Sequence, residues 1–302
     1  MKTRILKPPR LLAGKTVGLI APAGPVTQSE LQPGIDFLTS QGYGVSLAAH
    51  LYQRQDYTAG SDDIRLQDLH AMFEDRDVEA ILCARGGYGT LRLLDKIDYD
   101  VIRDNPKPFV GYSDITALLM AIHQKTGLIT FHGSMLKDSY EGKGRNLTSA
   151  LDLVSASGPL RVSFEQGEIL RSGQARGVLL GGNLSLISRL IGTPYLPSFK
   201  GALLFMEERG EPPYRIDRML THLKLSGLLD DVGAIMGGDF TECGDMASIQ
   251  GLLLEAAGDL DIPIVTGMPV GHGAMNSAIP IGMAATLDTE TMTLAASETC
   301  AI

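Results

Sequence analysis

Three short stretches of this chain end an apolar run on a residue able to do chemistry. In "VGYSDITALLM" the run stops at Ser113 and a helical pattern follows at once. Two roles suit that serine. Its oxygen can cap the helix by accepting from a free first-turn amide, or it can be a nucleophile on a strand-to-helix corner, with those amides aimed at a developing oxyanion. In "ALLFMEERGEPP" five apolar residues lead directly into Glu207. A carboxylate at such a strand end must find a partner or carry a heavy desolvation cost. Glu208 and Glu211 fall further into the loop, and adjacent acids could exchange roles with Glu207. In "MPVGHGAMN" glycines flank His272 on a loop after a strand, which lets the ring lie close to other backbone.

A serine, a histidine and an orienting carboxylate together can perform acyl transfer. The order Ser113, Glu207, His272 is the α/β-hydrolase order, but the elbow there is G-x-S-x-G. Here Gly111-Tyr112-Ser113-Asp114-Ile115 lacks the second glycine, so the corner must pack differently. "CARGGYGT" fits neither the dinucleotide nor the P-loop pattern. It is either a tight turn or a glycine loop in which the Gly87 amide forms half of an oxyanion hole. His132 in "TFHGSM" is a second candidate base, whereas His70, His123 and His222 sit in helical patterns and read as structural. Cys83, the rival nucleophile, lies inside the strand "AILCA" and reads as core.

These residues need elements to position them. Before residue 150, apolar runs alternate with helical patterns: "KTVGLIAPAG", "GVSLAAHL", "VEAILC" and "KPFVGY" as strands, "SELQPGIDFLTSQGY", "SDDIRLQDLHAMFED", "GTLRLLDKI" and "DITALLMAIHQKTG" as helices. Such alternation predicts parallel βαβ units, an α/β domain over residues 1–150. Polar and small residues then suggest a connection at 151–176. Beyond it, over 177–302, come many short β-like runs, "AIPIGMAATLD" among them, with one clear helix, "YRIDRMLTHLKLSG", carrying Ile216, Met219, Leu220 and Leu223 on one face. The second domain is therefore expected to be mixed and β-rich.

The 302 residues carry a net charge of −9, with no basic block. This argues against nucleic acid or an anionic membrane as partner. No run of about 18 apolar residues exists to span a bilayer. Lys7, Pro8, Pro9, Arg10 and Lys15 interrupt any secretory h-region. Three cysteines without a CxxC pair suit a reducing, cytoplasmic compartment and no structural zinc.

With these residues assembled, the chain resembles the LD-carboxypeptidase family of serine peptidases, which also includes microcin C immunity hydrolases. Seven blocks in the same order carry the resemblance across nearly the whole length: "GLIAPAGPV", "ARGGYG", "FVGYSDIT", "FHGSM", "LLGGNLSLI", "LFMEERGEPPYRIDRML" and "MPVGHG". The resemblance implies a two-domain, often dimeric enzyme without metal or cofactor, its site at the domain interface. It implies Ser113 as nucleophile, His272 as base, Glu207 as orienting acid, and the amides of Gly87 and Asp114 as oxyanion donors. Family members remove the terminal D-alanine of muropeptide tetrapeptides during peptidoglycan recycling. Asn183 matches a family motif near the site, Glu242 is placed to receive a substrate ammonium, and Arg85 to meet a carboxylate. Two other readings share the fold. Hydrolysis of a peptidyl- or aminoacyl-nucleotide would need an aromatic stacking surface, for which residues 138–176 offer only Tyr140 and Phe164. A non-catalytic muropeptide binder would have no reason to keep Ser113, Glu207 and His272 together.

Overall fold

A computed structural model describes residues 5–139 and 144–302. The alternating first half builds β1 (Thr16–Ile20), β2 (Gly44–Leu47), β3 (Val78–Cys83), β4 (Phe109–Gly111) and β5 (Thr130–His132). These strands are parallel, in the order β2-β1-β3-β4-β5. Winding reverses between β1 and β3, which opens a crevice at the carboxyl ends of those strands. Two loops meet there, the Gly24 N–H donating to Gly86 O at 3.1 Å.

Caps explain where the helices of this half begin. Thr27 and Glu30 form a capping box at α1 (Gln28–Ser40). Ser61 caps α2 (Asp62–Glu74) and Asp98 caps α3 (Tyr99–Asp104). The helix α4 (Thr116–Thr126) ends on Gly127 in the left-handed conformation. Nearly every residue of α4 is buried, as befits a helix that is apolar all round. The helix expected over "GTLRLLDKI" shrinks to one 3-10 turn at Thr90–Arg92. Thr90 is drawn aside instead, its N–H donating to Asp114 Oδ2 at 3.0 Å and its hydroxyl to Asp114 O at 2.6 Å.

From α5 (Gly144–Ser155) the chain builds a second sheet through β6 (Arg161–Ser163), β7 (Glu168–Arg171), β8 (Gln174–Asn183), β9 (Leu203–Arg209), β10 (Ala234–Thr241) and β11 (Ile264–Thr266). Next, β12 (Ile279–Ile281) crosses back and pairs antiparallel with β5, at the edge of the first sheet. Gly282, at φ 92°, turns the chain into β13 (Ala284–Asp288), and β14 (Thr293–Ala296) follows. The run "AIPIGMAATLD" is therefore two strands in two sheets. The second sheet has the order β6-β14-β13-β8-β9-β10-β11-β7, with β8 to β11 parallel. Residues 151–176, expected as a connection, hold the end of α5 and both edge strands, β6 against β14 and β7 against β11.

The sequence reading found one helix in this half, and the structure has three. As expected, α7 (Pro213–Leu225) buries Ile216, Leu220 and Leu223. The seven-residue α6 (Leu184–Leu190) is too short to show a period. The third, α8 (Met246–Ala257), is apolar almost throughout and lacks the polar face that marks an amphipathic helix; Asp245 caps it. Among the described residues no helix is long and apolar enough to cross a membrane.

Candidate active site

The corner at Ser113 is not a helix cap. Ser113 has φ 63° and lies in a 3-10 turn, Ser113–Ile115, that precedes α4 rather than in the helix expected from Asp114. Neither that turn nor α4 has a side-chain cap. A non-glycine residue in this region costs roughly 1–3 kcal/mol and persists where its surroundings over-determine it. Those surroundings are visible. Tyr112 is buried and its hydroxyl donates to Asp138 Oδ1 at 3.1 Å, while Thr90 holds Asp114 from the side. Gly111 leaves room for Ile115, since a Cβ on it would lie 2.7 Å from Ile115 Cγ2. This is how the elbow does without its second glycine. Burial pushes the Asp114 carboxyl up, against the lowering bonds from Thr90.

Gly86 packs still closer to the nucleophile candidate. A Cβ there would stand 2.9 Å from Ser113 Cβ and 3.0 Å from Ser113 Oγ. Gly86→Ala should therefore displace the hydroxyl and lower kcat at least ~100-fold, the scale of a 1 Å misplacement. Stability should change far less, and steady-state kinetics beside thermal unfolding would separate the two effects. Its neighbour Gly87, at φ 122°, lines the cavity described below.

His272 is held from four sides. Its Nδ1 donates to Glu207 Oε2 at 2.6 Å, which leaves Nε2 as the basic nitrogen. The Gly271 N–H donates to Asn276 Oδ1, and the Gly273 N–H to Asp239 Oδ2, each at 3.0 Å. The ring of Tyr112 lies 4.8 Å from the imidazole, centroid to centroid. Close approach requires the glycine at 271, where φ is 123° and a Cβ would fall 2.8 Å from Glu207 Cβ. Burial disfavours the imidazolium, but the Glu207 hydrogen bond and charge outweigh it and raise the His272 pKa above the ordinary histidine value. Glu207 itself is fully buried at the register position opposite Asn183 on β8.

It is Glu207, not Glu208, that meets the histidine. Glu208 accepts instead from Asn183 Nδ2 (2.9 Å), Ser185 N (2.8 Å) and Arg209 N (2.9 Å), and burial raises its pKa. Glu211 pairs with Arg215. Asn183 Oδ1 caps α6, while its backbone N–H donates to Thr116 Oγ1 at the start of α4, so this residue ties β8 to the helix behind the elbow. Arg85 turns back on its own loops, to Gly86 O and Pro25 O. Glu242 pairs with Arg209 at 3.3 Å. His132, the second candidate base, is fully buried behind the pair, its ring 5.7 Å from Tyr112 and 5.2 Å from Phe205. Burial pushes its pKa down to about 4. Cys83 is fully buried as well, and burial raises its thiol pKa.

Ser113, Gly87, Asp114 and His272 line one cavity of about 540 Å³, with Arg85, Asn183 and Glu242 also on its wall. The cavity takes residues from the loops of the first half and from β8, β9, α6 and the loops of the second. Tyr88 and Lys137 line it too, as does Arg189, which sequence reasoning missed.

Similarity to known proteins gives the class first: this is a serine-type carboxypeptidase. Residues 17–133 match the LD-carboxypeptidase N-terminal domain and residues 176–287 the LD-carboxypeptidase C-terminal domain, and the chain belongs to the LD-carboxypeptidase family. It is 42% identical over 299 residues to the probable murein peptide carboxypeptidase of Bacillus subtilis (strain 168), covering 94% of this chain and 92% of that protein. A solved MccF-like protein from Bacillus anthracis matches with a TM-score of 0.89 at 29% identity, over 97% of this chain and 99% of the other. The muramoyltetrapeptide carboxypeptidase of Oxalobacter formigenes matches with a TM-score of 0.82 at 30% identity, over 93% and 97% respectively.

Proposed function

We propose that the protein removes the terminal D-alanine from muropeptide tetrapeptides in peptidoglycan recycling, through a Ser-His-Glu acyl-enzyme mechanism. The observation that carries this is the 2.6 Å contact of His272 Nδ1 with the buried Glu207, on the same cavity as the strained Ser113. Ser113 Oγ attacks the carbonyl carbon of the last peptide bond while His272 Nε2 takes its proton. The amides of Gly87 and Asp114 receive the oxyanion. Collapse breaks the C–N bond, and the departing D-alanine nitrogen takes the proton from His272. Water, deprotonated by the same histidine, then releases the tripeptide and restores Ser113. Glu207 fixes the tautomer and stabilises the imidazolium. Residues 1–150 supply the nucleophile and 177–302 the acid and base. Glu242, beside Arg209 at the mouth, receives the ammonium of the substrate's diamino acid. Asn183 acts by holding Glu208 and the start of α6, and Arg85 by holding the glycine loop.

The reading extends to a homodimer in the cytoplasm. Three buried, unpaired cysteines support a reducing compartment. Release of free D-alanine from L-Ala-D-Glu-meso-diaminopimelate-D-Ala tests the reaction, with the tripeptide as the second product. A wild-type protein that leaves this tetrapeptide intact overturns it.

One observation keeps the nucleotide-hydrolase alternative in view. Phe164 is buried and Tyr140 lies outside the described residues, but Tyr57 and Tyr88 are both exposed and meet edge to face at 5.3 Å. Tyr88 lines the cavity, so an aromatic surface stands at its mouth, supplied by the first half of the chain. Aminoacyl-adenylate analogues are the substrates to try if D-alanine is not released.

A further inference from the structure

A carboxypeptidase must read a free carboxylate on the departing residue, or it would cut inside a chain as readily as at its end. The carboxylate carbon of that residue lies only about 2.5 Å from the scissile nitrogen, across one Cα. Whatever reads it must stand beside the nucleophile, and it must be a cation or a strong donor.

Four cationic side chains besides His272 line the cavity: Arg85, Lys137, Arg189 and Arg209. Lys137 is paired with Glu30 at 3.0 Å and Arg209 with Glu242 at 3.3 Å. Arg85 directs its guanidinium at the carbonyls of Gly86 and Pro25. Neither Arg85 nor Arg189 has a carboxylate within ion-pair distance among the described residues, but Arg85 commits two guanidinium nitrogens to those loop carbonyls, whereas Arg189 commits only Nη1, which donates to Ser185 O in its own helix at 2.7 Å. Placement also favours it. Arg189 projects from α6, whose first residue follows the Asn183 that is bonded to Thr116 at the start of α4. Arg189 lines the same cavity wall as Ser113 and Asp114. The remaining guanidinium N–H groups form a planar fork suited to a carboxylate.

We propose that Arg189 is the subsite for the terminal carboxylate of the departing D-amino acid, and so the residue that confines cleavage to the chain end. This rests on the carboxypeptidase reading above. The ligand class is an α-carboxylate held by a charge-assisted fork. Nothing covalent happens at Arg189, so it is a specificity residue and Ser113 does the chemistry.

The test compares two substrates, the tetrapeptide ending in D-alanine and the same tetrapeptide ending in D-alaninamide. Wild type should favour the acid by about 10- to 100-fold in kcat/KM, the scale of a hydrogen bond to a charged group. In Arg189→Ala that ratio should collapse toward one, and Arg189→Lys, which keeps the charge but not the fork, should retain part of it. Arg189 is exposed, so both variants should fold, which thermal unfolding would verify. If Arg189→Ala slows acid and amide alike, the residue is only structural and the proposal falls. Equal wild-type rates on acid and amide also overturn it, while leaving the D-alanine reaction intact. No D-alanine from wild type overturns the reaction itself, and the subsite with it.

Discussion

Ser113→Ala should lower D-alanine release by roughly six orders of magnitude, by analogy with nucleophile loss in another serine peptidase. The substitution removes one oxygen and leaves the corner standing. What holds the corner is Tyr112 on Asp138, Thr90 on Asp114, and the packing of Ile115 on Gly111, none of which involves Oγ. Alanine meets the same steric limits at φ 63° as serine, so thermal stability should move little. A residual rate of ~10³–10⁴ over water would remain from the oxyanion donors and substrate binding. The direct check is covalent: a fluorophosphonate should add one mass label to wild type and none to the variant. Labelling of both proteins, or undiminished release, would end the nucleophile role of Ser113.

Glu207→Gln should cost about 10⁴-fold in kcat, the scale seen when another triad's carboxylate becomes an amide. An amide can present its NH₂ to Nδ1, and the ring then keeps its proton on Nε2, where it cannot accept one from Ser113. The pH profile adds a second signature. The imidazole must be neutral to act as base, so activity falls as pH drops through its pKa. In wild type, burial works against the charged ring while the hydrogen bond and charge of Glu207 prevail, so the acid limb lies above the ordinary histidine value of about 6.5. Removing the carboxylate's charge should move that limb to lower pH while the plateau rate falls. Glutamine nearly matches glutamate in shape, so the fold should hold. A pH–rate profile whose acid limb does not move would show that Glu207 does not act through His272.

Much of this site could be read from local sequence, for physical reasons. Ser113 and His272 lie on loops that follow apolar strands, and Glu207 breaks an apolar run inside β9; a polar group in such a place is either capped, paired or functional. Glycines beside His272 announced a close approach, and that approach is onto Glu207. What escaped depends on contacts distant in sequence. Gly86 matters because Ser113 lies 27 positions away along the chain and under 3 Å from where a side chain would begin. Arg189 reads as one more charge on a helix, because only the cavity wall shows that Lys137 and Arg209 are already paired and that Arg85 turns back on its own loops. Asn183 drew attention by motif, but its role as a cap and a tether needs Glu208 and Thr116 in view. In the fold, alternation in the first half was plain. The second half misled where α8 lacks a polar face and where "AIPIGMAATLD" changes sheets at Gly282.

That change of sheets bears on how the enzyme comes into being. The loop carrying His272 is strung between β11, in the second sheet, and β12, which closes the open edge of β5 in the first. On the ribosome, the early βαβ units can assemble as they emerge, but β5 keeps a bare edge until residues 279–281 arrive. The strand that seals this edge also tethers the far side of the loop bearing His272, the proposed base. With His272 as the proposed base, hydrolytic competence and protection from edge-to-edge aggregation would be acquired in one event, and a nascent chain should be inert toward peptides until residues 279–281 have been made and paired.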